Sequence, residues 1–328
     1  MRFLVIGLGS MGKRRIRCLK KLKYDQIYGF DNNLVRAKHV EFQYKIKTFS
    51  NFEASINFSR PTVFIICTPP DKHYFYAKYA AKKKINCFME ASVETYKDTM
   101  KLSNFEKNSQ TMIFPSCTMK YFHAPKIIKK LITQKKIGNT LNFNYQVGQY
   151  LPDWHPWENI NNFYVSKKKT GACREIVPFE LNWICGIFGL PKVVNSYIGK
   201  ISKLKMTADD IYHFVLKFPK NIIANITIEV LSRGGATRNM VILGSKGRIC
   251  LNYEDKTIKL YSKSNLKKIF YINEGAKSYK GYINSERPYV NEMLDFIKAV
   301  SNKNKKIFPN NLVNDGKILR VLEEIENQ

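Results

Sequence analysis

Near the amino terminus, Gly7-Leu8-Gly9-Ser10-Met11-Gly12 places three glycines at the spacing of a phosphate-binding turn. Each glycine has a physical reason: Gly7 for the tight turn, Gly9 for close approach of backbone to a pyrophosphate, and Gly12 for packing of the following helix on the strand. The helix that opens there offers Ser10, Met11 and Gly12 at its positive, N–H-bearing end. Asp31 closes the second apolar run at about the ~20-residue offset at which a carboxylate accepts from the adenosine ribose hydroxyls. A carboxylate there repels a 2′-phosphate, which favours NAD(H) over NADP(H). Arg14, Arg15 and Arg36 are the residues able to accommodate that phosphate instead. A methyltransferase using the same turn for S-adenosylmethionine is the structural rival.

A second concentration of reactive side chains lies in residues 149–180. Asp153, Trp154, His155, Trp157 and Glu158 come first, then Tyr164, Lys167, Lys168, Arg174 and Glu175. Aromatic faces with carboxylates suit a carbohydrate, and a surface loop anchored by tryptophans is the alternative. Asp153, Trp157, Lys168, Arg174 and Glu175 are the candidate substrate contacts. Tyr164 and Lys168 stand in a Tyr-x-x-x-Lys spacing, in which an ammonium lowers the phenol's pKa and lets it exchange protons near neutrality. Tyr164 is one candidate proton donor and His155 the other, since histidine titrates nearest neutral pH. Glu175 and Glu180 orient a sugar hydroxyl or pair with Arg174, and Pro178 marks a helix start nearby.

The elements that must carry these groups follow from periodicity. Short apolar runs at 3–6, 26–30, 62–66, 85–89 and 111–114 alternate with helical patterns at 11–22, 33–40, 72–81 and 95–106, the signature of a parallel sheet covered on both faces. After a helical stretch at 124–133 the pattern changes to long alternating strands at 141–150, 193–202, 211–218, 222–231, 238–243, 248–253, 257–261 and 268–272, with tight turns between several of them. Helices are expected at 289–300 and 314–325. The fold class is thus α/β + α+β: a doubly wound parallel sheet in residues 1–120, then a domain with a large, mainly antiparallel open sheet in residues 121–328, its last helices able to pack back on the first domain.

Composition narrows the setting. A chain of 328 residues is long for one core, so two domains are expected. No apolar run approaches the ~20 residues that span a bilayer, and no signal-peptide pattern precedes the first strand. The seven cysteines (18, 67, 87, 117, 173, 185 and 250) are scattered and form no Cys-x-x-Cys pair, which reads as reduced thiols in the cytoplasm. The five histidines form no pair at ligand spacing, so no metal is expected. The formal net charge of +29 admits nucleic-acid binding, an anionic substrate or a Lys-rich coding bias. The lysines are spread over many segments, which favours the last and argues against specific nucleic-acid recognition.

The sequence resembles the glucose–fructose oxidoreductase, inositol dehydrogenase and MocA family. The likeness rests on the glycine turn, then Cys67-Thr68-Pro69-Pro70-Asp71-Lys72-His73, Phe88-Met89-Glu90, Met119-Lys120-Tyr121, and residues 171–189 ending Ile187-Phe188-Gly189. The resemblance implies a nicotinamide cofactor contacted additionally by Thr68, Pro69, Pro70, His73 and Glu90. It implies a sugar, cyclitol or sugar-nucleotide substrate, Lys120 facing that substrate as a further catalytic candidate, and a homo-oligomer joined through the open sheet. Two positions depart from the family pattern: its usual Glu-Lys-Pro reads Glu90-Ala91-Ser92, and its usual helix histidine aligns with Phe179. Both customary proton-transfer groups are therefore absent, which leaves two readings: an oxidoreductase with a replacement acid–base, or a member that binds cofactor and ligand without turnover.

Overall fold

The structure, a computed structural model, describes residues 1–91, 95–154, 159–162, 164–263, 265–275, 278–280, 282 and 284–328. It divides into two compact units: Met1–Tyr121 with Gly275–Gly316, and Phe122–Glu274 with Lys317–Gln328. Residues 275–316 therefore join the first unit, not the second.

In the first unit, β1 (Phe3–Ile6), β2 (Ile27–Phe30), β3 (Lys47–Phe49), β4 (Val63–Ile66), β5 (Asn86–Met89) and β6 (Ile113–Pro115) form a parallel sheet in the order β3-β2-β1-β4-β5-β6. Strands β1 and β4 are buried at every position, as a sheet covered on both faces requires. The covering helices are α1 (Ser10–Lys21), α2 (Leu34–Tyr44), α3 (Phe52–Ser59), α4 (His73–Lys82) and α5 (Tyr96–Ser109). Leu4, Ile6, Phe64, Ile66 and Met89 from the strands pack with Ala77, Ala80 and Leu102 from the helices. The chain winds outward from β1 through β2 to β3, then crosses back so that β4 lies on the other side of β1. That reversal creates the crevice in which such sheets bind ligands.

β3 and α3 were not anticipated from the sequence. The strand has only three residues. The helix does carry a start signal, Asn51, whose side chain accepts from the Ala54 amide at 2.9 Å.

The second unit begins with α6 (His123–Thr133) and β7 (Thr140–Gly148). After α7 (Cys173–Phe188) come β8 (Lys192–Gly199), β9 (Ile211–Phe218), β10 (Ile222–Glu229), β11 (Thr237–Gly244), β12 (Gly247–Asn252), β13 (Thr257–Ser262) and β14 (Asn265–Tyr271). They form one sheet ordered β14-β13-β12-β11-β7-β10-β9-β8, antiparallel except for the β7–β10 pair. Burial alternates along β9, β10 and β11, so one face carries the core and the other is open. Phe143 of β7 stacks on Phe188 of α7 with centroids 4.8 Å apart, and Tyr145 meets Trp183 edge-on. Pro178 lies inside α7 and does not mark its start. The apolar packing of the helix on the sheet outweighs the one backbone hydrogen bond that proline removes. The last two helices are α8 (Arg287–Ser301) in the first unit and α9 (Leu312–Glu326), within which the division between the units falls.

Candidate functional site

The glycine turn joins β1 to α1 at the sheet's crevice. Gly7 has φ +87°, a conformation that a side chain rarely adopts, and a Cβ there would lie 2.7 Å from the Cys67 carbonyl oxygen. A Cβ on Gly12 would collide with the Gly7 carbonyl oxygen, while a Cβ on Gly9 would meet nothing within 4 Å. Two of the glycines thus serve the fold, and the third borders open space above the first turn of α1. That turn has no capping side chain and no acidic residue, so its amides face the crevice uncompensated. Ser10 is held by its carbonyl, which accepts from the Tyr282 hydroxyl at 2.8 Å, and Met11 Sδ lies 3.7 Å from an Arg14 nitrogen.

Asp31 follows β2 and is buried. Its carboxylate accepts from the amides of Leu8 (2.8 Å) and Asn33 (2.9 Å) and pairs with Arg36 at 3.1 Å. Thr68, Pro69 and Pro70 follow β4 and turn the chain into α4, with Pro70 opening a short 3-10 turn. His73 is buried and shares a 2.8 Å hydrogen bond with the Thr68 carbonyl through Nε2. Burial lowers its pKa to about 4, so the ring is neutral, with the proton on Nε2. Among the described residues, Thr68 Oγ1 and His73 Nδ1 are buried without a hydrogen-bond partner. Buried polar atoms left unpaired carry a cost of about 1–3 kcal/mol each unless something binds them. The bare amides, the open space at Gly9 and these two orphaned atoms together fit a bound dinucleotide.

Arg15 is wholly buried and committed to carboxylates. It meets Glu90 at 2.5 Å and Glu292 at 2.9 Å, and burial, which lowers its pKa, is more than offset by those two charges. Glu292 also accepts from Ser116 Oγ, the Cys117 amide and Thr118 Oγ1 at 2.6–2.9 Å. Arg14 stacks between the rings of Tyr282 (4.4 Å) and Tyr289 (4.1 Å). The sequence reading of Arg14 and Arg15 as 2′-phosphate ligands is corrected accordingly: one is spent on buried carboxylates and the other on aromatic faces. Glu90 is Arg15's partner at the end of β5. Lys120 donates to the Pro309 carbonyl at 3.0 Å. Glu292 was missed because nothing near it in sequence marks it.

In the second unit, the Tyr164 hydroxyl donates to Glu175 at 2.9 Å. Lys168 is exposed and pairs with Asp209 at 3.4 Å. The tyrosine is therefore matched with a carboxylate from the first turn of α7, where Gly171 is packed against the Val165 backbone and leaves no room for a side chain. Arg174 pairs with Glu326 at 2.7 Å, whereas Glu180 takes Arg238, Tyr145 and Trp183 at 2.7–2.8 Å. Asp153 is exposed at the end of a short 3-10 turn. His155 and Trp157 lie outside the described residues. A cavity of about 780 Å³ in this unit is a lysine-rich groove between α6 and β14, and none of the candidate residues lines it; Lys168 and Arg174 instead line a second cavity of about 410 Å³ with Asp209, Tyr212 and Glu326. Among the described residues no cluster of His, Cys, Asp or Glu could hold a metal ion.

A glycine turn at the switch point of a parallel sheet, with a large mixed sheet in a second unit, defines an oxidoreductase of the Rossmann class. Residues 1–116 match the oxidoreductase family described by its NAD-binding Rossmann fold, and residues 126–250 match the GFO/IDH/MocA C-terminal domain. The chain belongs to the glucose–fructose oxidoreductase, inositol dehydrogenase and MocA family, and its N-terminal domain is an NAD-binding Rossmann fold. No curated protein matches it. Among solved structures it is similar to an oxidoreductase from Agrobacterium radiobacter in complex with NAD+, L-tartaric acid and magnesium (TM-score 0.85, 12% identity, 98% of this chain and 94% of that one). It is also similar to levoglucosan dehydrogenase in complex with NADH and levoglucosan (0.81, 16%, 100% and 96%). A third is the WlbA dehydrogenase from Bordetella pertussis in complex with NADH and UDP-GlcNAcA (0.80, 14%, 100% and 95%). At these identities the likeness establishes the fold.

Proposed function

We propose that this protein interconverts a carbinol and a carbonyl on a sugar, cyclitol or sugar nucleotide, with Tyr164 as the proton-transfer group and Glu175 as its partner. The observation that carries the reading is the 2.9 Å hydrogen bond between them. It supplies an acid–base pair in a chain that has Ala91 and Phe179 where the family has lysine and histidine. When bound, the nicotinamide cofactor supplies the hydride donor or acceptor. Amides of Ser10, Met11 and Gly12 hold its pyrophosphate, and Asp31 takes ribose hydroxyls and disfavours a 2′-phosphate. Thr68 and His73 give their unpaired atoms to the cofactor beside Pro69 and Pro70. In the oxidation direction the substrate hydroxyl's proton goes to the Tyr164 oxygen while the tyrosine's own proton passes to Glu175; reduction reverses both transfers.

The test is isotope transfer from deuterated NADH across a panel of keto-sugars and sugar nucleotides. Tyr164→Phe and Glu175→Gln are each expected to cut turnover by about 10²–10⁴-fold while NADH affinity stays unchanged. Transfer that survives both substitutions removes the assignment. Bound NADH with no transfer to any ligand favours the second reading, a cofactor-binding member without turnover. Assembly through the open sheet face is also proposed, supported by exposed Val241 and Leu243 there; light scattering at the monomer mass would reject it. The scattered spacing of the seven cysteines, with no Cys-x-x-Cys pair, supports a reducing, cytoplasmic compartment.

A further inference from the structure

We infer that Arg233, with the amides of Gly234 and Gly235, binds an anionic group of the substrate, so that the substrate is a sugar bearing a phosphate or carboxylate and not a neutral one. This deepens the reading above and rests on its placement of the substrate in the second unit.

The location comes first. Strands β7 and β10 run parallel, so their carboxyl ends, Gly148 and Glu229, lie side by side. The chain continues the pairing briefly beyond them, with the Gln149 amide on the Glu229 carbonyl and the Leu151 amide on the Val230 carbonyl. Helix α7 runs antiparallel to β7: Phe188 stacks on Phe143, and one turn after another toward its start Glu180 meets Tyr145 and Arg238. Glu175 lies about 7 Å further along the same direction at 1.5 Å per residue. The Cys173 thiol, pushed up first by burial and then by the charge of Glu229, marks the helix start as a neighbour of that strand end. Tyr164 and Glu175 therefore share one end of the sheet with the loop 231–236.

That loop is built to present a cation. Glu229 Oε2 accepts from the amides of Leu231 (2.5 Å) and Ser232 (2.9 Å), and its other oxygen takes the Ser232 hydroxyl, which fixes the chain just before Arg233. The Arg233 guanidinium lies 4.1 Å from the centroid of the Tyr150 ring. Stacking of this kind immobilises the planar fork and leaves its N–H edge free for a carboxylate or phosphate. Among the described residues it has no carboxylate partner. Gly234 and Gly235 follow with φ of +85° and +128°, and a Cβ on either would meet nothing within 4 Å. Successive bare amides beside a held guanidinium are the chemistry of an oxyanion cradle.

The experiment uses the NADH-loaded protein and three probes: UDP-glucuronate, free glucuronate and glucose. Each is titrated against wild type, Arg233→Gln, Arg233→Lys and Tyr150→Leu, following cofactor fluorescence. The charged probes are expected to weaken by about 10- to 100-fold in Arg233→Gln, the range of one charge-assisted hydrogen-bonded contact. Arg233→Lys should retain part of the affinity, Tyr150→Leu should fall between, and glucose and NADH should not respond. A loss confined to UDP-glucuronate assigns the cradle to phosphate, and a loss shared by glucuronate assigns it to carboxylate. Charged probes that bind equally well to Arg233→Gln, that lose no more than glucose does, or that fail to bind wild type overturn the inference. Wild type that does not bind NADH counts against the oxidoreductase reading instead.

Discussion

Replacing Asp315 by asparagine should stabilise the protein increasingly as pH rises from about 4 to 7 and leave it unchanged below about pH 4. Asp315 is buried in the first turn of α9, where its Oδ1 receives only a long 3.4 Å hydrogen bond from Asn310. Its Oδ2 and the Asn310 Oδ1 are both buried acceptors without a donor among the described residues. Burial pushes the carboxyl up from 3.8 to about 7, against the lowering effects of the Asn310 hydrogen bond and the Lys120 charge. The folded state therefore holds a proton between those two values that the unfolded chain has lost. Wild-type stability falls as pH rises through that window and stays low above it. At about 1.4 kcal/mol per pKa unit, the full cost of the buried charge is about 4 kcal/mol at pH 8. The variant removes the charge, and its amide can donate to the orphaned Asn310 oxygen. It forfeits roughly 0.5 kcal/mol of favourable charge at a helix start, while the attraction of Lys120 is already contained in the shifted value. A net gain of about 3.5 kcal/mol at pH 8 remains, falls to less than half of that at pH 5, where only the unfolded chain is ionised, and vanishes below about pH 4, where both states hold the proton. Urea unfolding followed by far-ultraviolet circular dichroism at several pH values between 4 and 8 measures it. An equal difference at both ends, or a variant less stable at pH 8, would refute the reasoning.

Three further outcomes follow from the first two residue clusters. Gly9→Ala should leave thermal stability within about 0.5 kcal/mol of wild type yet abolish tight NADH binding, whereas Gly12→Ala should disturb the fold itself; equal behaviour of the two in melting and NADH titration would contradict the division of labour. Ala172 precedes α7 at φ +48° and ψ −128°, so Ala172→Gly should raise stability by about 1 kcal/mol in urea titration, strain relief exceeding the added chain entropy. Arg15→Met leaves Glu292 buried, and Glu90 partly buried, without their cation and should cost about 3–5 kcal/mol, seen as a large drop in the unfolding midpoint.

The parallel sheet was legible because its strands are short, apolar on both faces and separated by helical periods, a pattern with few alternatives. Where an element is three residues long, as β3 is, periodicity has nothing to repeat. The antiparallel strands were legible for the opposite reason: one open face makes every second residue polar. Helix α7 was blurred by Pro178, since a proline is a strong local signal and the packing that overrides it is tertiary. The arginines near the glycine turn show the same limit. Two adjacent cations at a helix start suggest an anion nearby, and for Arg15 the anions are real, but they are Glu90 and Glu292 in the protein itself.

Tyr164 shows how a residue can be singled out for one neighbour and hydrogen-bonded to another. The Tyr-x-x-x-Lys spacing brings two groups together when both lie on one helix, where residues four apart share a face. Here Tyr164 opens a short 3-10 turn, Lys168 lies beyond its end, and the lysine swings out to Asp209. What approaches the phenol is Glu175, eleven residues on, because the chain doubles back at Gly171 before α7 begins. The consequence is chemical. An ammonium neighbour would draw the phenol toward phenolate, whereas a carboxylate accepts its proton and opposes that ionisation. A rate limited by this pair should therefore depend on the protonation of a carboxylate, not of a lysine. The Glu175→Gln variant should flatten the acid limb of the turnover profile and leave any alkaline limb in place, and a wild-type profile governed only by a group titrating near the lysine range would show that the spacing, and not the hydrogen bond, describes the working partner.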